Sequence, residues 1–149
     1  MKIIPYEPRY RDDMIFMILQ AKDALGRVPR INDDLLAVKE RYLDSGDMFW
    51  LAIDDSDRVI GCVGYSSLPG TDEAVLHRLY VKADRKHQGI GTALFKTAEA
   101  YLKQQGKTAV RVHLGTPEEQ WYESYAFYRK HGFKEETPRH WKKLLGKAR

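Results

Sequence analysis

The strongest chemical signal in this sequence is the run Arg85-Lys86-His87-Gln88-Gly89-Ile90-Gly91-Thr92. It lies between a strand-like stretch and a helix-like one. Its glycines let the backbone turn tightly and come close to a ligand. The first N–H groups of a helix have no acceptor inside the helix. Together with the helix dipole they favour an anion such as a phosphate or diphosphate. Arg85, Lys86 and His87 add positive or ionisable groups beside that point. A plain strand-to-helix turn, with glycine used for geometry alone, is the other reading of Gly89-Ile90-Gly91.

Two phosphate loops are excluded. A P-loop places Lys and then Ser or Thr after its last glycine, and Gly91-Thr92-Ala93 does not. A dinucleotide fingerprint needs Gly or Ala where Leu94 stands, in a βαβ unit at the start of the fold. The second signal is Tyr125-Ala126-Phe127-Tyr128-Arg129-Lys130-His131-Gly132-Phe133. Taken alone, Phe127, Tyr128 and Phe133 read as core aromatics at a helix end that Gly132 caps.

The elements that must position these groups follow from periodicity. Residues 2–7 alternate weakly and predict a short strand. Tyr10, Met14, Met17, Ile18 and Leu25 recur at near-helical spacing, so residues 9–25 predict an amphipathic helix that Gly26 ends. Asn32 or Asp33 is placed to cap a second helix holding Leu35, Leu36, Val38 and Leu43, with Gly46 after it. Residues 49–53 and 59–65 predict two strands around the turn Asp54-Asp55-Ser56-Asp57, hence a hairpin. Pro69-Gly70 makes the next turn, and residues 74–81 predict a mostly buried strand.

Leu94, Ala98, Tyr101 and Leu102 line one face of a helix over residues 89–105, which Gly106 stops. Residues 109–114 predict another strand. Thr116-Pro117-Glu118-Glu119 reads as a helix start, with Thr116 as cap, Pro117 at the first helical position and Glu119 three residues after the cap. That helix is expected to reach about Lys130. Residues 133–135 and 141–145 complete the strands. The order β-α-α-β-β-β-α-β-α-β-β predicts an α/β (α+β) layered sheet. The sequence shows no repeat, low-complexity tract or Gly/Ser/Pro linker, so one domain over residues 1–149 is expected.

Composition narrows the class further. Hydrophobic residues make up 43% and charged residues 31%, which excludes a disordered chain. No apolar run approaches the ~20 residues that a membrane helix needs. Cys62 is the single cysteine, so no intrachain disulfide can form. The start Met1-Lys2-Ile3-Ile4-Pro5 has no secretory character, and a reducing cytoplasm is the expected home. The net charge is +4, and Arg139, Lys142, Lys143, Lys147 and Arg149 account for the excess, with no acid among residues 139–149. A basic end hints at an anionic partner, and a solvated terminal strand explains it equally well.

Taken together, Leu79-Tyr80-Val81, Lys86-His87-Gln88-Gly89-Ile90-Gly91, the helix and strand after them, and Phe127 to Phe133 resemble the GNAT superfamily of N-acetyltransferases. The element order matches that family's fold along essentially the whole chain. Residues 74–133 carry most of the specificity. The resemblance implies a splayed sheet flanked by helices, with acetyl-CoA as co-substrate and no metal. At the diphosphate loop, Gly89 and Gly91 fill the family's last two places. Lys86 takes the Gln/Arg position, with Arg85 one residue early, and His87 stands where Gly is frequent. The resemblance assigns Lys86, His87, Gln88, Gly89, Ile90, Gly91 and Thr92 to the diphosphate. It assigns the backbone of Leu79, Tyr80 and Val81 to the pantetheine arm, with a backbone N–H there polarising the thioester carbonyl.

By the same resemblance, Tyr128 matches the tyrosine that protonates the departing CoA thiolate. A phenol with pKa near ~10 is protonated at neutral pH and suits that task. A common Asn seven residues before it is Trp121 here. Many members use a Glu on the strand before the loop as base, where this chain has Val75 and Leu76. Glu73 and His77 are the available groups on that strand, and they share parity if no bulge intervenes. His113 is a further, poorer candidate. Each of these has a bland reading as a turn, core or sheet-face residue.

The acceptor site is expected from residues 20–45, 66–72 and the C-terminal strands. Residues 22–41 mix Lys22, Asp23, Arg27, Arg30, Asp33, Asp34, Lys39, Glu40 and Arg41, so no sign of charge dominates. The expected function is acetyl transfer to a primary amine of a small molecule or peptide, without nucleic acid or membrane, and with room for a homodimer. The rival is a non-catalytic module that binds acyl-CoA as a sensor.

Overall fold

A computed structural model describes residues 1–146. Seven strands form one mixed sheet: β1 (Lys2–Pro5), β2 (Phe49–Ile53), β3 (Val59–Ser67), β4 (Glu73–Val81), β5 (Ala109–His113), β6 (Lys134–Thr137) and β7 (His140–Leu144). Their hydrogen-bonded order is β1-β2-β3-β4-β5-β7-β6. The helices are α1 (Arg11–Ala24), α2 (Ile90–Gln104) and α3 (Tyr122–Lys130). The expected α/β (α+β) sheet flanked by helices is therefore present. Among the described residues, no helix is long and apolar enough to cross a membrane. The basic end is described only through Lys142 and Lys143, because Lys147 and Arg149 lie outside the described residues.

The chain divides into two compact units. The first holds residues 1–66 and 77–98. Here β1, β2 and β3 run antiparallel, with Ile4 opposite Leu51 and Leu51 opposite Cys62. All five residues of β2 are buried, so both faces of the strand are covered. Alternation sends Phe49, Leu51 and Ile53 to one face, where they cluster with Tyr10, Met14, Met17 and Ile18 of the α1 segment. On the other face, Gly61 of β3 lies against Leu94 and Ile90 of α2. Burying each such aliphatic side chain is worth roughly 1.5–3 kcal/mol. Asp13 of α1 ties the helix to the hairpin. It accepts the Val59 N–H at 2.7 Å and an Arg58 guanidinium N–H at 2.7 Å.

The expected second helix is not continuous. Residues Asp33–Leu36 form a short 3-10 turn and Lys39–Leu43 a π turn. Asn32 stands at the predicted cap, but its side chain makes no capping bond. Instead its Oδ1 accepts from Lys22 Nζ at 3.0 Å. Asp34 is likewise taken by other partners, and Leu36 is exposed rather than packed. Side chains that would stabilise a helix start are thus spent elsewhere.

The second unit holds residues 67–76 and 99–149. Glu73, Ala74 and Val75 pair in parallel with Ala109, Val110 and Arg111. Strand β5 then pairs antiparallel with β7, and β7 with β6. Thr116 is not the predicted cap. Pro117, with extended backbone, precedes a 3-10 turn over Glu118–Trp121, and α3 begins only at Tyr122. Tyr125 is buried from α3, with its ring edge-on to Trp141 at 5.4 Å. Its hydroxyl donates to Gly115 O at 2.9 Å.

Glu73, Arg111 and Lys142 share one face of this part of the sheet. The registers Glu73–Ala109 and Arg111–Lys142 require it, because paired residues point the same way and parity repeats every two residues. Arg111 Nε donates to Glu73 at 2.7 Å, and Lys142 Nζ lies 3.0 Å from its other oxygen. These two cations, Arg111 first, hold the Glu73 carboxyl below its ordinary value. A lowered carboxyl pKa gives stability that is fully present above the unfolded value of ~4.3 and is lost as pH falls through the folded value. Glu73→Gln should therefore lower stability by about 1–3 kcal/mol at pH 7. The gap from wild type should close below about pH 4, as chemical melts across pH will measure.

Candidate functional site

The glycine loop lies in the first unit. A 3-10 turn over Ala83–Arg85 follows β4, Lys86 is extended, and His87 has φ +63°. Gly89 has φ +80°, and Ile90 opens α2. Nothing lies within 4 Å of a Cβ at Gly89, so the glycine is required by the left-handed backbone and not by crowding. Ala93 N–H donates to Gly89 O at 3.0 Å, which makes Gly89 the first acceptor of the helix. His87, Gln88 and Gly89 are exposed at this helix N-terminus. Such a terminus, with N–H groups ahead of the first intrahelical donor, suits an anion. Arg85 does not simply add charge to the loop, because its guanidinium pairs with Asp54 at 3.2 Å. Asp54 also accepts from Arg58 and Ser56 N–H groups, which hold its carboxyl below the ordinary range.

Leu79, Tyr80 and Val81 form the end of β4 and are half-buried. Lys82 N–H donates to Ile60 O at 2.9 Å, which anchors the chain just past Val81 on β3. Burial pushes the Tyr80 phenol up. His77, earlier on the strand, shares a 2.8 Å hydrogen bond between Nε2 and Ser66 Oγ, and its ring packs edge-on to Tyr42 at 6.4 Å.

The residue that sequence reading missed is Arg78. It sits inside a strand with φ +57°. Strand alternation alone would send His77 and Arg78 to opposite faces. The backbone reversal breaks that rule, and both side chains reach the surroundings of Tyr42. Arg78 grips Asp34 with two bonds, at 3.1 and 3.0 Å. Tyr42 OH donates to the same carboxylate at 2.6 Å. Burial would raise the Asp34 pKa, but the Arg78 and Tyr42 hydrogen bonds more than offset it. Burial, then Asp34, pushes the Tyr42 phenol well up. No periodicity distinguishes Arg78 from its neighbours in the sequence, so no signal pointed to it.

Tyr128, Glu73 and His113 lie in the second unit. Tyr128 is on α3, half-buried, with its ring edge-on to Phe127 at 5.3 Å and to Phe133 at 5.1 Å. Of the three aromatics expected in the core, only Phe133 is fully buried. Glu73 is engaged by Arg111 and Lys142 as described above. His113 lies 4.6 Å from the His140 ring, between ring centres. Burial, then His140, Arg111 and Arg139, lowers its pKa. Trp121 precedes α3, and its indole lies against Gly115, where a Cβ would stand 2.1 Å from the ring. It therefore acts there as a packing group.

Comparison with known proteins agrees with this geometry. N-acetyltransferase 8 of Homo sapiens is 31% identical over 108 residues, covering 68% of this chain and 45% of that protein. The chain thus spans less than half the length of that relative. The structure of a GNAT-family acetyltransferase from Staphylococcus aureus Mu50 superposes with TM-score 0.86 and 24% identity, covering 97% of this chain and 99% of that one. PaiA N-acetyltransferase from Thermoplasma acidophilum, in complex with coenzyme A, gives TM-score 0.72 and 23% identity, covering 97% and 100%. These likenesses establish the fold. Residues 15–133 match the profile of the acetyltransferase (GNAT) family, and on that match, which takes in most of the sequence, the chain belongs to the GNAT acetyltransferase family.

Proposed function

We propose that this protein is an acetyl-CoA-dependent N-acetyltransferase, with residues 1–149 as one catalytic domain in the cytoplasm. The acetyl group moves to a primary amine of a small molecule or peptide by direct attack. The observation that carries the reading is the left-handed turn through His87 and Gly89 into α2, in a chain of this family. The loop Lys86–Thr92 takes the diphosphate of acetyl-CoA, largely on backbone N–H groups. The backbone of Leu79, Tyr80 and Val81 pairs with the pantetheine arm, and one N–H there stabilises the developing oxyanion. The coenzyme A complex of the Thermoplasma PaiA protein, which has the same fold, supports this reading.

An amine arrives as an ammonium ion and must lose a proton before it attacks. Of the two groups expected on β4, Glu73 is held by two cations, and a lowered pKa makes it a weak base. An imidazole, with ordinary pKa near ~6.5, suits neutral pH better. His77 therefore takes the ammonium proton. The amine nitrogen bonds to the thioester carbon, the C–S bond breaks, and Tyr128 gives its proton to the departing thiolate.

Calorimetry tests the first part. Acetyl-CoA should bind in the micromolar range, about −8 kcal/mol, and less tightly as salt rises. Gly89→Val should abolish binding, because φ +80° excludes a β-branched residue. Absence of binding to the folded wild type would overturn the function.

Kinetics tests the residues. Tyr128→Phe should lower kcat by about 10²–10⁴, with acetyl-CoA affinity within a fewfold. The ring still packs on Phe127 and Phe133, so the melting temperature should hardly move. Near-normal turnover removes Tyr128 from the mechanism. For His77, log(kcat/KM) should fall below a pKa near ~6–7, and His77→Gln should flatten that limb. An unchanged profile in the variant moves the proton to another base.

A further inference from the structure

The charges that alternate along residues 22–41 are sorted by the fold. Lys22 is buried on α1. Its Nζ donates to Arg30 O at 2.5 Å and to Asn32 Oδ1 at 3.0 Å, and it lies 5.8 Å from the centre of the Tyr80 ring. Besides burial, the groups that act on this ammonium are Arg78, Arg27, Asp34 and Arg30. Three of the four are guanidinium groups. Burial and the Arg78 and Arg27 charges push Lys22 below its ordinary value. The one carboxylate among them, Asp34, already accepts two bonds from Arg78 and one from Tyr42. Asp23 and Asp33 are not among the groups that act on Lys22. Four cations therefore share one committed acid.

This cluster is continuous with the proposed base. Arg78 follows His77 directly, and the φ reversal between them brings both toward Tyr42. Lys22 packs over Tyr80 of the strand segment assigned to the pantetheine arm. An acceptor whose amine meets His77 therefore has its remaining atoms beside the cations.

We propose that this cluster receives a carboxylate of the acceptor, so that the amine acetylated belongs to an amino acid or another small amine bearing a carboxylate. The proposal rests on the N-acetyltransferase reading with His77 as base. Lys22 fixes the 27–32 segment through the Arg30 carbonyl and the Asn32 amide. Arg78 stays on Asp34. Arg30, which is exposed, and Arg27, which is half-buried, meet the carboxylate. A guanidinium offers two parallel N–H donors that match a carboxylate and makes strong charge-assisted bonds. A polyamine would bring further positive charge to four cations and is disfavoured at the same place.

The experiment compares the twenty common amino acids with their amides and with spermidine, at saturating acetyl-CoA. Acetyl-CoA binding is measured alongside by calorimetry. At least one amino acid should exceed its amide tenfold or more in kcat/KM, and the excess should shrink with salt. Arg30→Glu and Arg27→Glu should each lower kcat/KM for the acid about tenfold more than for the amide, mainly through KM. Lys2→Glu, the same charge change on β1, should leave that ratio alone. Amides or spermidine turned over as well as the acids would overturn the inference and leave N-acetyl transfer standing. Acetyl-CoA binding with no turnover of any series overturns it too, as does an acid preference that both Arg variants retain. Absence of acetyl-CoA binding overturns this inference and the proposed function together.

Discussion

The backbone reversal at Arg78 is the constraint on which the first unit's chemistry depends. A non-glycine residue at φ +57° inside a strand costs of order 1–3 kcal/mol. The surroundings must over-determine it. Arg78 carries two bonds to Asp34 on its side chain, and its carbonyl accepts Cys62 Sγ–H at 3.2 Å. Cys62 is itself fully buried, and burial pushes its thiol up, so it remains a neutral donor. This explains a cysteine in the core of a chain that has no second one to pair with. Without the reversal, His77 and Arg78 would point to opposite faces of the sheet. With it, a base and a fixed cation share one environment.

What the sequence made legible follows directly from this kind of reasoning. The α1 stripe, the β2–β3 hairpin and the glycine turn into α2 were readable because each is fixed by local physics. Periodicity decides which face is apolar, Asp54 to Asp57 suit a turn, and Gly89 takes a backbone few other residues tolerate. The failures have a common cause. Asn32, Asp34 and Thr116 were read as local capping or helix-start residues. Asn32 and Asp34 instead serve partners remote in sequence: Asn32 serves Lys22, and Asp34 serves Arg78. Thr116 lies ahead of Pro117, whose extended backbone delays α3 until Tyr122. A short polar side chain can satisfy a nearby backbone or a distant charge, and single-sequence patterns cannot distinguish the two. Arg78 was illegible for a related reason: a φ reversal in a strand leaves no compositional mark unless the residue is glycine.

Charge shows the same separation between sequence and fold. Along residues 22–41 the signs cancel, and no acceptor class can be read from them. In three dimensions, Asp34 is consumed by Arg78 and Tyr42, while Lys22 sits among three guanidinium groups. Burying an ammonium is costly unless its donors are satisfied. Lys22 meets part of that cost with a carbonyl, an amide oxygen and the Tyr80 ring, and with no carboxylate of its own. A protein that needed only to stabilise this loop would do better with a neutral side chain there. Retention of a charge in a place already positive is explained more simply by a ligand that brings the missing negative charge.

The two β4 candidates illustrate why position on a strand does not assign a role. Glu73 and His77 are four residues apart and share parity, yet their environments push them to different tasks. Glu73 faces Arg111 and Lys142, one from each of the next two strands, and these cations favour its ionised form so strongly that it holds no useful proton affinity at neutral pH. Its contribution is to tie β4, β5 and β7 together where the parallel pair begins. His77 faces a hydroxyl and an aromatic edge, groups that orient an imidazole without fixing its charge. A base must exchange its proton during each turnover, and only a group left free to change its charge can do so. On that criterion the strand contains one structural carboxylate and one imidazole still able to act.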